Sequence, residues 1–218
     1  MSTLPPDRVR RIYDRIGRWQ DSQAFYEDRA ISELLAHGGF EAASRVVELG
    51  CGTGRLAQRL LERHLPPDAT YLGVDLSPRM VALARERLAP FGPRAEVRLS
   101  TGGVALELPD AACDRFLSTF VLDLLPEAEI RQALAEALRV LRPGGRLCLA
   151  GLSTGVGPLS RAVAKLWGAL QRSAPALVGG CRPLDVAAFL PDARWRILHH
   201  ARLSSFGVPL EALVAEPR

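Results

Sequence analysis

The stretch Val46-Val47-Glu48-Leu49-Gly50-Cys51-Gly52-Thr53-Gly54 predicts a strand that runs into a glycine-rich turn. Residues 55–61 then predict a helix. Glycine reaches positive φ and lacks a Cβ, so the backbone of such a turn can approach a ligand closely. The first N–H groups of the helix have no partner inside it and point toward that ligand. We therefore expect a ligand site at the turn, contacted by four of its residues. They are Gly50, Cys51, Gly52 and Gly54.

The spacing of the glycines separates two kinds of ligand. A dinucleotide fingerprint, G-x-G-x-x-G, would need a glycine at position 55, where this chain has Arg55. The pattern is instead E-x-G-x-G-x-G, with Glu48 at the end of the strand. This pattern resembles motif I of the class I S-adenosylmethionine-dependent methyltransferases. An acid near the loop suits a ligand with a cationic ammonium and sulfonium, and it suits a pyrophosphate badly. The resemblance implies S-adenosyl-L-methionine as cofactor and an α/β fold, a Rossmann-like doubly wound sheet of seven strands with the last one antiparallel.

The second strand is predicted over residues 70–75 and ends at Asp75. Ser77-Pro78 then predicts the start of a helix, with serine as N-cap and proline in the first turn. A carboxylate at this strand end can accept both ribose hydroxyls of an adenosine, because its two oxygens match a vicinal diol. Leu76 stands next to it and can pack on the adenine.

After the third predicted strand, residues 95–100, the chain departs from the family pattern. The resembled family commonly continues with Gly-Asp-Ala, whose acid meets the adenine amino group, whereas this chain has Thr101-Gly102-Gly103. Either Thr101, Gly102 and their backbone groups hold the adenine, or this contact is absent.

The fourth strand is predicted over residues 115–120. The segment from Ser118 to Asp123 then lies at the carboxyl edge of the sheet, where open α/β sheets bind ligands. Ser118 is a candidate cofactor contact. Asp123 is the candidate general base, and its alternative role is to cap the helix that begins near Glu127.

A helix over residues 127–141 leads into L-x-P-G-G, another mark of the resembled family. The proline ends the helix and the glycines form a turn before the fifth strand, residues 146–152. The closing pair of strands is predicted over residues 194–203 and 210–215.

Two amphipathic helices are predicted before the first strand, within residues 8–37. The resemblance implies that this region caps the cofactor, with Tyr13, Trp19 or Tyr26 closing the pocket and Tyr13 as a cofactor contact. Packing in the core is the alternative for each aromatic side chain. The whole chain is interpreted as a single methyltransferase domain, residues 1–218. It comprises a cap (1–44), a cofactor-binding core (45–152) and a substrate-side insertion with the closing strands (153–218).

Composition narrows the class of protein further. The net charge is +4, and residues 151–218 contain 8 basic and 4 acidic side chains, which can attract an anionic substrate or a membrane surface or can be an ordinary solvated surface. Basic blocks typical of nucleic-acid binding are missing.

The four cysteines are scattered, and the adjacent His199 and His200 face opposite ways on a strand, so no metal site is predicted. The sequence lacks a signal-peptide layout, and a cytoplasmic location is expected, with peripheral contact to a membrane as an option.

The motifs together predict an enzyme that transfers a methyl group by direct SN2 displacement to a small molecule or lipid. The stretch Tyr13-Asp14-Arg15-Ile16 and the size of the chain resemble the branch that includes quinone-biosynthesis and phospholipid N-methyltransferases. A methyltransferase that acts on protein or nucleic acid and a non-catalytic cofactor-binding module are the alternatives.

Overall fold

The computed structural model describes residues 3–218, so Met1 and Ser2, the first residues of the predicted cap, lie outside the described residues. Within this range the six α-helices are α1 (Pro6–Ile16), α2 (Ala24–His37), α3 (Arg55–Arg63), α4 (Pro78–Leu88), α5 (Glu127–Val140) and α6 (Pro158–Ser173). The seven strands are β1 (Arg45–Leu49), β2 (Thr70–Asp75), β3 (Ala95–Leu99), β4 (Cys113–Thr119), β5 (Leu141–Leu152), β6 (Trp195–Ser205) and β7 (Val208–Pro217). Short 3-10 helices connect some of these elements, at Gly17–Gln23, Phe40–Ala42, Ala89–Arg94, Leu122–Leu124, Pro175–Val178 and Val186–Phe189.

The seven strands form one sheet in the order β3-β2-β1-β4-β5-β7-β6. Strands β1 to β5 pair in parallel, whereas β7 runs antiparallel to both of its neighbours, β5 and β6. The predicted doubly wound fold with an antiparallel last strand is confirmed. The strand order changes direction between β1 and β4, and open α/β sheets bind ligands at the carboxyl ends of the strands at such a point.

Helices cover both faces of the sheet. Apolar side chains of α2, α3 and α4, such as Ile31, Leu60 and Val81, pack on one face in one hydrophobic cluster. Side chains of α5, such as Ile130 and Leu134, pack on the other face in a second cluster. The central strands β1 and β4 are buried over nearly all of their residues, including the polar ones of β4. Packing on both faces of the sheet fixes the position of the carboxyl ends of these strands.

Several element boundaries differ from the predicted ones by one or two residues, and at two places the connection itself differs. Before α2 the chain forms a 3-10 helix over Gly17–Gln23, because Gly17 has φ +52° and ends α1 at Ile16. The Pro-Gly-Gly turn lies inside β5 rather than before it. Cys113 pairs with Leu141 and Arg115 pairs with Arg146, so residues 142–145 bulge out of the ladder and the strand starts earlier than predicted.

None of the helices within residues 3–218 combines the length and the apolar character that crossing a membrane requires.

Candidate active site

The glycine-rich turn after β1 folds back onto the end of β2. The N–H groups of Gly50 and Cys51 both donate to the carbonyl oxygen of Val74, at 2.7 and 3.2 Å. A Cβ added to Gly50 would lie 2.1 Å from Cγ2 of Val121, so this glycine is required by packing. A Cβ added to Gly52, where φ is +52°, would meet no atom within 4 Å. The open side of Gly52 faces a cavity, and there the backbone itself is available to a ligand.

Asp75 holds this turn from the end of β2. Its Oδ2 accepts a hydrogen bond from the N–H of Gly52 at 2.8 Å, and its Oδ1 accepts one from the N–H of Ser77 at 2.9 Å. Burial raises the pKa of the Asp75 carboxyl, while these backbone N–H groups act in the opposite direction. Each oxygen keeps a further lone pair, so the carboxylate can also accept hydrogen bonds from a ligand on the cavity side.

Glu48 lies deeper, at the end of β1. Its side chain is 1% exposed, and its Oε2 accepts a hydrogen bond from the hydroxyl of Tyr71 at 2.5 Å. Burial raises the pKa of Glu48 to about 7, although hydrogen bonds from Tyr71 and Thr119 lower it. Tyr71 was not predicted from the sequence, because only the register of β1 with β2 brings it to Glu48. The carboxylate of Glu48 is therefore already bonded to two side chains of the protein.

A cavity of about 340 Å³ lies at the carboxyl ends of β1, β2 and β4. Seven of the predicted cofactor residues line it: Tyr13, Glu48, Gly50, Cys51, Gly52, Asp75 and Leu76. Residues of α1, of the segment just before it and of the turn after β4 complete the wall. They include Leu4, Pro5, Val9, Leu124 and Leu125.

Four other predicted cofactor residues are not part of this wall, and their roles stay predictions. Gly54 begins α3, where a Cβ would come within 3.2 Å of Ala84. Ser118 is buried and its hydroxyl donates to the carbonyl oxygen of Leu49 at 3.2 Å. Thr101 and Gly102 are exposed. Their neighbours in the chain line the cavity instead: Ser100, Gly103 and Val104.

Asp123, the predicted general base, lies in the 3-10 turn after β4 and is 2% exposed. Its Oδ2 accepts a hydrogen bond from the N–H of Leu152 at 3.3 Å, and within the described residues its Oδ1 has no hydrogen-bond partner. Burial raises the pKa of Asp123 to about 7. The alternative role as helix cap is wrong, because Pro126 is the N-cap of α5 and no side chain caps it. Asp123 does not line the cavity, so its role as base stays a prediction.

The residues before β1 form hydrogen bonds with both the glycine-rich turn and α4. Asp14 Oδ1 accepts a hydrogen bond from the hydroxyl of Ser77 at 2.6 Å. Asp21 accepts one from the hydroxyl of Thr53 at 2.5 Å and also binds the guanidinium of Arg87. These contacts hold the cap against the cofactor-binding core, and sequence spacing gave no signal for them.

The three aromatic candidates of the cap have different surroundings. Tyr13 lines the cavity, and its hydroxyl lies 4.0 Å from Sγ of Cys181. Tyr26 is buried in the core, where its ring meets Phe120 edge to face at 6.3 Å. Trp19 is 80% exposed. Of the three, Tyr13 alone is placed on the cavity wall.

The two adjacent histidines bind carboxylates of different elements. His199 Nε2 lies 2.9 Å from Glu33, and His200 Nε2 lies 3.1 Å from Glu211. His37 stacks on His199 with 3.6 Å between ring centroids and 5° between planes. A metal ion lies close to the plane of an imidazole that binds it, so an ion shared by these two parallel rings would require one of them to turn.

Sequence comparisons agree with this geometry. A family profile described as a methyltransferase domain matches residues 46–145. The demethylmenaquinone methyltransferase of Thermus thermophilus is 41% identical over 108 residues, which cover 49% of this chain and 46% of that protein. The trans-aconitate 2-methyltransferase of Mycobacterium sp. strain KMS is 35% identical over 179 residues, which cover 79% of this chain and 66% of that protein. The chain thus spans from about half to just under two thirds of the length of these curated relatives.

Solved structures show the same fold. The [4+2]-cyclase SpnF superposes with a TM-score of 0.75 at 18% identity, covering 99% of this chain and 98% of that chain. A SAM-dependent methyltransferase from Aquifex aeolicus superposes with a TM-score of 0.63, also at 18% identity, covering 97% and 98%. Since a cyclase and a methyltransferase share the fold at equal identity, these similarities establish the architecture alone.

The family profile covers the glycine-rich turn and Asp75, which line the cavity, and also the Pro-Gly-Gly turn at the other end of the sheet. Residues 46–145 match a methyltransferase domain, and the chain is similar to the class I S-adenosylmethionine-dependent methyltransferases. This similarity implies S-adenosylmethionine as the cofactor, and the cavity fits it. The open side of Gly52 leaves room for the ligand, Asp75 offers acceptors to the ribose, and Leu76 and Val104 offer apolar surface to the adenine.

Proposed function

We propose that this protein is an enzyme that transfers a methyl group from S-adenosylmethionine to a small-molecule acceptor. The observation that carries the proposal is the continuity of the cavity. It joins the wall formed by Gly52 and Asp75 to an apolar wall formed by α1 and the turn after β4. A ligand bound at the first wall and an acceptor at the second would share one enclosed space.

The contribution of the protein is mainly binding and positioning. When bound, S-adenosylmethionine supplies a methyl group on a sulfonium, which an acceptor nucleophile takes by direct displacement. Asp75 and Gly52 fix the adenosine end, while Tyr13 and the apolar side chains of α1 exclude water from the nucleophile. Asp123 stays the predicted base: it lies behind the cavity wall, between Val121 and Leu124, which line the cavity, and burial raises the pKa of its carboxyl to about 7.

The charges on the cavity wall favour some acceptors over others. The acidic residues are Asp21, Glu27, Glu48, Asp75 and Glu129, and the basic ones are Arg10 and Arg55. This excess of carboxylates would repel a tricarboxylate such as trans-aconitate. It tolerates an uncharged quinol and attracts an amine such as the head group of phosphatidylethanolamine. We infer that the acceptor is a quinol-like or amine-bearing lipid rather than a polyanion.

A calorimetric titration with S-adenosylmethionine and S-adenosylhomocysteine tests the cofactor first. Transfer of a labelled methyl group is then measured to three probes: a short-chain demethylmenaquinol, dispersed phosphatidylethanolamine and trans-aconitate. We expect binding of both nucleosides and label on one of the first two probes. Absence of nucleoside binding would refute the proposal, and binding without transfer to any probe would favour the non-catalytic alternative.

We further propose peripheral contact with an anionic membrane through α6. Leu159 and Leu166 on this helix are 73% and 63% exposed, and Leu170 continues the same apolar stripe. Arg161, Lys165 and Arg172 are its charged residues, so the helix carries no acid. A stripe of exposed leucines on a helix whose charged residues are all basic is typical of helices that lie in the interface of a bilayer.

Co-sedimentation with vesicles tests this contact. We expect the protein to bind vesicles that contain phosphatidylglycerol and to bind phosphatidylcholine vesicles weakly, and we expect Leu166→Gln to reduce the binding. Equal binding of wild type and Leu166→Gln to the anionic vesicles would exclude α6 as the contact surface.

A further inference from the structure

Two acceptor groups on the cavity wall lack the hydrogen-bond donors that buried acceptors normally have. Gln20 lines the cavity from the 3-10 helix before α2, and within residues 3–218 its buried Oε1 has no hydrogen-bond partner. Glu27 lines the cavity from the first turn of α2 and is 9% exposed. Buried polar atoms are rarely left unpaired in native proteins, so an orphaned acceptor on a cavity wall calls for a donor from a ligand.

Glu27 has little compensation for its charge in the described part of the chain. Its ionic partner within residues 3–218 is Arg55, whose Nη2 lies 3.9 Å from Oε2 of Glu27, beyond hydrogen-bond distance. The guanidinium of Arg55 is held instead by Asp28, at 2.7 Å. Burial raises the pKa of Glu27 to about 7, and the nearby charges of Asp123, Asp28 and Asp21 act in the same direction. A cation placed beside Glu27 would reverse this unfavourable balance.

Glu48 differs from Glu27 in this respect. Tyr71 and Thr119 already donate hydrogen bonds to the Glu48 carboxylate, and Glu48 is buried at the back of the turn. The sequence pattern points to Glu48 as the acid that meets a cationic ligand, but the contacts leave Glu27 as the carboxylate with free acceptor capacity. The residue expected to meet a cationic ligand is therefore Glu27 of α2, and not Glu48 of the glycine-rich motif.

We propose that Glu27, supported by Gln20, binds an ammonium group in the cavity. This inference rests on the proposed function, and it adds the residue that recognises the charged end of a ligand. An ammonium has three donors and one positive charge, which match a carboxylate and an amide oxygen that lack donors. Two molecules can supply the group: the amino-acid end of S-adenosylmethionine, or an amine acceptor.

The first arm of the test distinguishes a role at the cofactor. S-adenosylhomocysteine and 5′-methylthioadenosine are titrated into the wild type and Glu27→Gln; the second nucleoside lacks the amino acid. If the ammonium belongs to the cofactor, Glu27→Gln lowers the affinity for S-adenosylhomocysteine by about ten- to hundredfold, the scale of a charge-assisted hydrogen bond. The affinity for methylthioadenosine stays unchanged. Gln20→Met should weaken the same nucleoside by a smaller factor.

The second arm uses hexylamine, titrated in the presence of saturating S-adenosylhomocysteine. If the ammonium belongs to the acceptor, Glu27→Gln keeps the affinity for S-adenosylhomocysteine and loses the affinity for hexylamine. Glu33→Gln is the matched control, because it makes the same change on the same helix, where Glu33 bonds to His199 and does not line the cavity.

The inference is overturned if Glu27→Gln lowers the affinity for both nucleosides equally. It is also overturned if the variant binds both nucleosides and hexylamine with wild-type affinity. This failure is distinguishable from failure of the proposed function, in which the wild type itself would bind neither nucleoside.

Discussion

At Gly52 the backbone forms the cavity wall, which makes this glycine sensitive to the smallest possible substitution. A methyl group in Gly52→Ala would enter the space where we expect the ligand, and overpacking of this kind typically costs about 1–3 kcal/mol. We expect S-adenosylhomocysteine to bind about five- to hundredfold more weakly to the variant, as measured by calorimetry.

Gly92 provides a matched control for Gly52. It has φ +55°, and a Cβ added there would also meet nothing within 4 Å, but it does not line the cavity. Gly92→Ala should lose stability because φ +55° with ψ −130° is a backbone conformation that L residues rarely adopt, and Gly52→Ala, at φ +52°, should also lose stability. Only the Gly52 variant should lose affinity for the nucleoside. Equal affinity of the two variants would place the ligand elsewhere.

Asp75 combines a structural and a binding role in one side chain. We expect Asp75→Ala to weaken nucleoside binding by about 1–3 kcal/mol, the scale of hydrogen bonds to a charged group. Because Gly52 and Ser77 would also lose their acceptor, part of the loss would come from the turn. Comparing adenosine with 2′,3′-dideoxyadenosine isolates the ribose contribution. The wild type should prefer adenosine and the variant should not; a preserved preference would contradict the ribose role.

Among the elements, α1 lines the cavity although none of its residues is buried. Its side-chain contact with α4 is made by Asp14, which accepts a hydrogen bond from Ser77. We expect Asp14→Ala to increase the population of the open state, in which α1 is detached, by about two- to tenfold. This factor corresponds to the loss of a hydrogen bond that contributes about 0.5–1.5 kcal/mol. Limited trypsin digestion measures this opening, since α1 contains four arginines. S-adenosylhomocysteine should suppress the cleavage.

Asp7 is the control on the same helix. It is exposed and lies 3.9 Å from Arg10, a surface pair of little energetic weight. Asp7→Ala should be cut at the wild-type rate. If both variants are cut at that rate, with or without nucleoside, then α1 is not held by Asp14.

The helices and strands were predictable because their signals are local. Apolar periodicity, Ser77-Pro78 and the Gly-rich turn each act within a few residues. The bulge at residues 142–145 was not predicted, because it arises from pairing with β4 rather than from the Pro-Gly-Gly sequence itself. Asp21, in the 3-10 helix at Gly17–Gln23, similarly contacts Thr53 and Arg87, which are distant in the sequence, so its placement was not predicted.

At the scale of the whole molecule, the site divides into a predictable half and an unpredictable half. Gly52 and Asp75 stand at strand ends that a parallel sheet must bring together, so their proximity follows from the order of the motifs. Glu27 and Gln20 reach the cavity only because the cap folds over the edge of the sheet. No spacing within the sequence encodes that placement, and the charge of a single residue gives no hint of its burial.

Three buried carboxyl groups link the stability of the fold to pH. They are Glu27, Glu48 and Asp123, and burial is the largest cause that raises each pKa to about 7. In the unfolded chain the same groups lose their protons near pH 4. Between about pH 4 and pH 7 the folded state therefore binds more protons than the unfolded state. It follows that the free energy of unfolding falls as pH rises through this window.

We expect the urea midpoint to be lower at pH 8 than at pH 5. Each pKa unit corresponds to about 1.4 kcal/mol, so Glu27→Gln should raise stability at pH 8 and flatten the slope with pH. Glu62→Gln, at an exposed glutamate of α3 whose hydrogen-bond partner is Gln58, should keep the wild-type slope. A wild-type midpoint that rises from pH 5 to pH 8, or an unchanged slope in Glu27→Gln, would contradict the burial of an ionisable Glu27. If the prediction is correct, the ionised carboxylate of Glu27 destabilises the fold at pH 8 and stabilises the bound ligand. Glu27→Gln should therefore raise the urea midpoint at pH 8 and weaken ligand binding together.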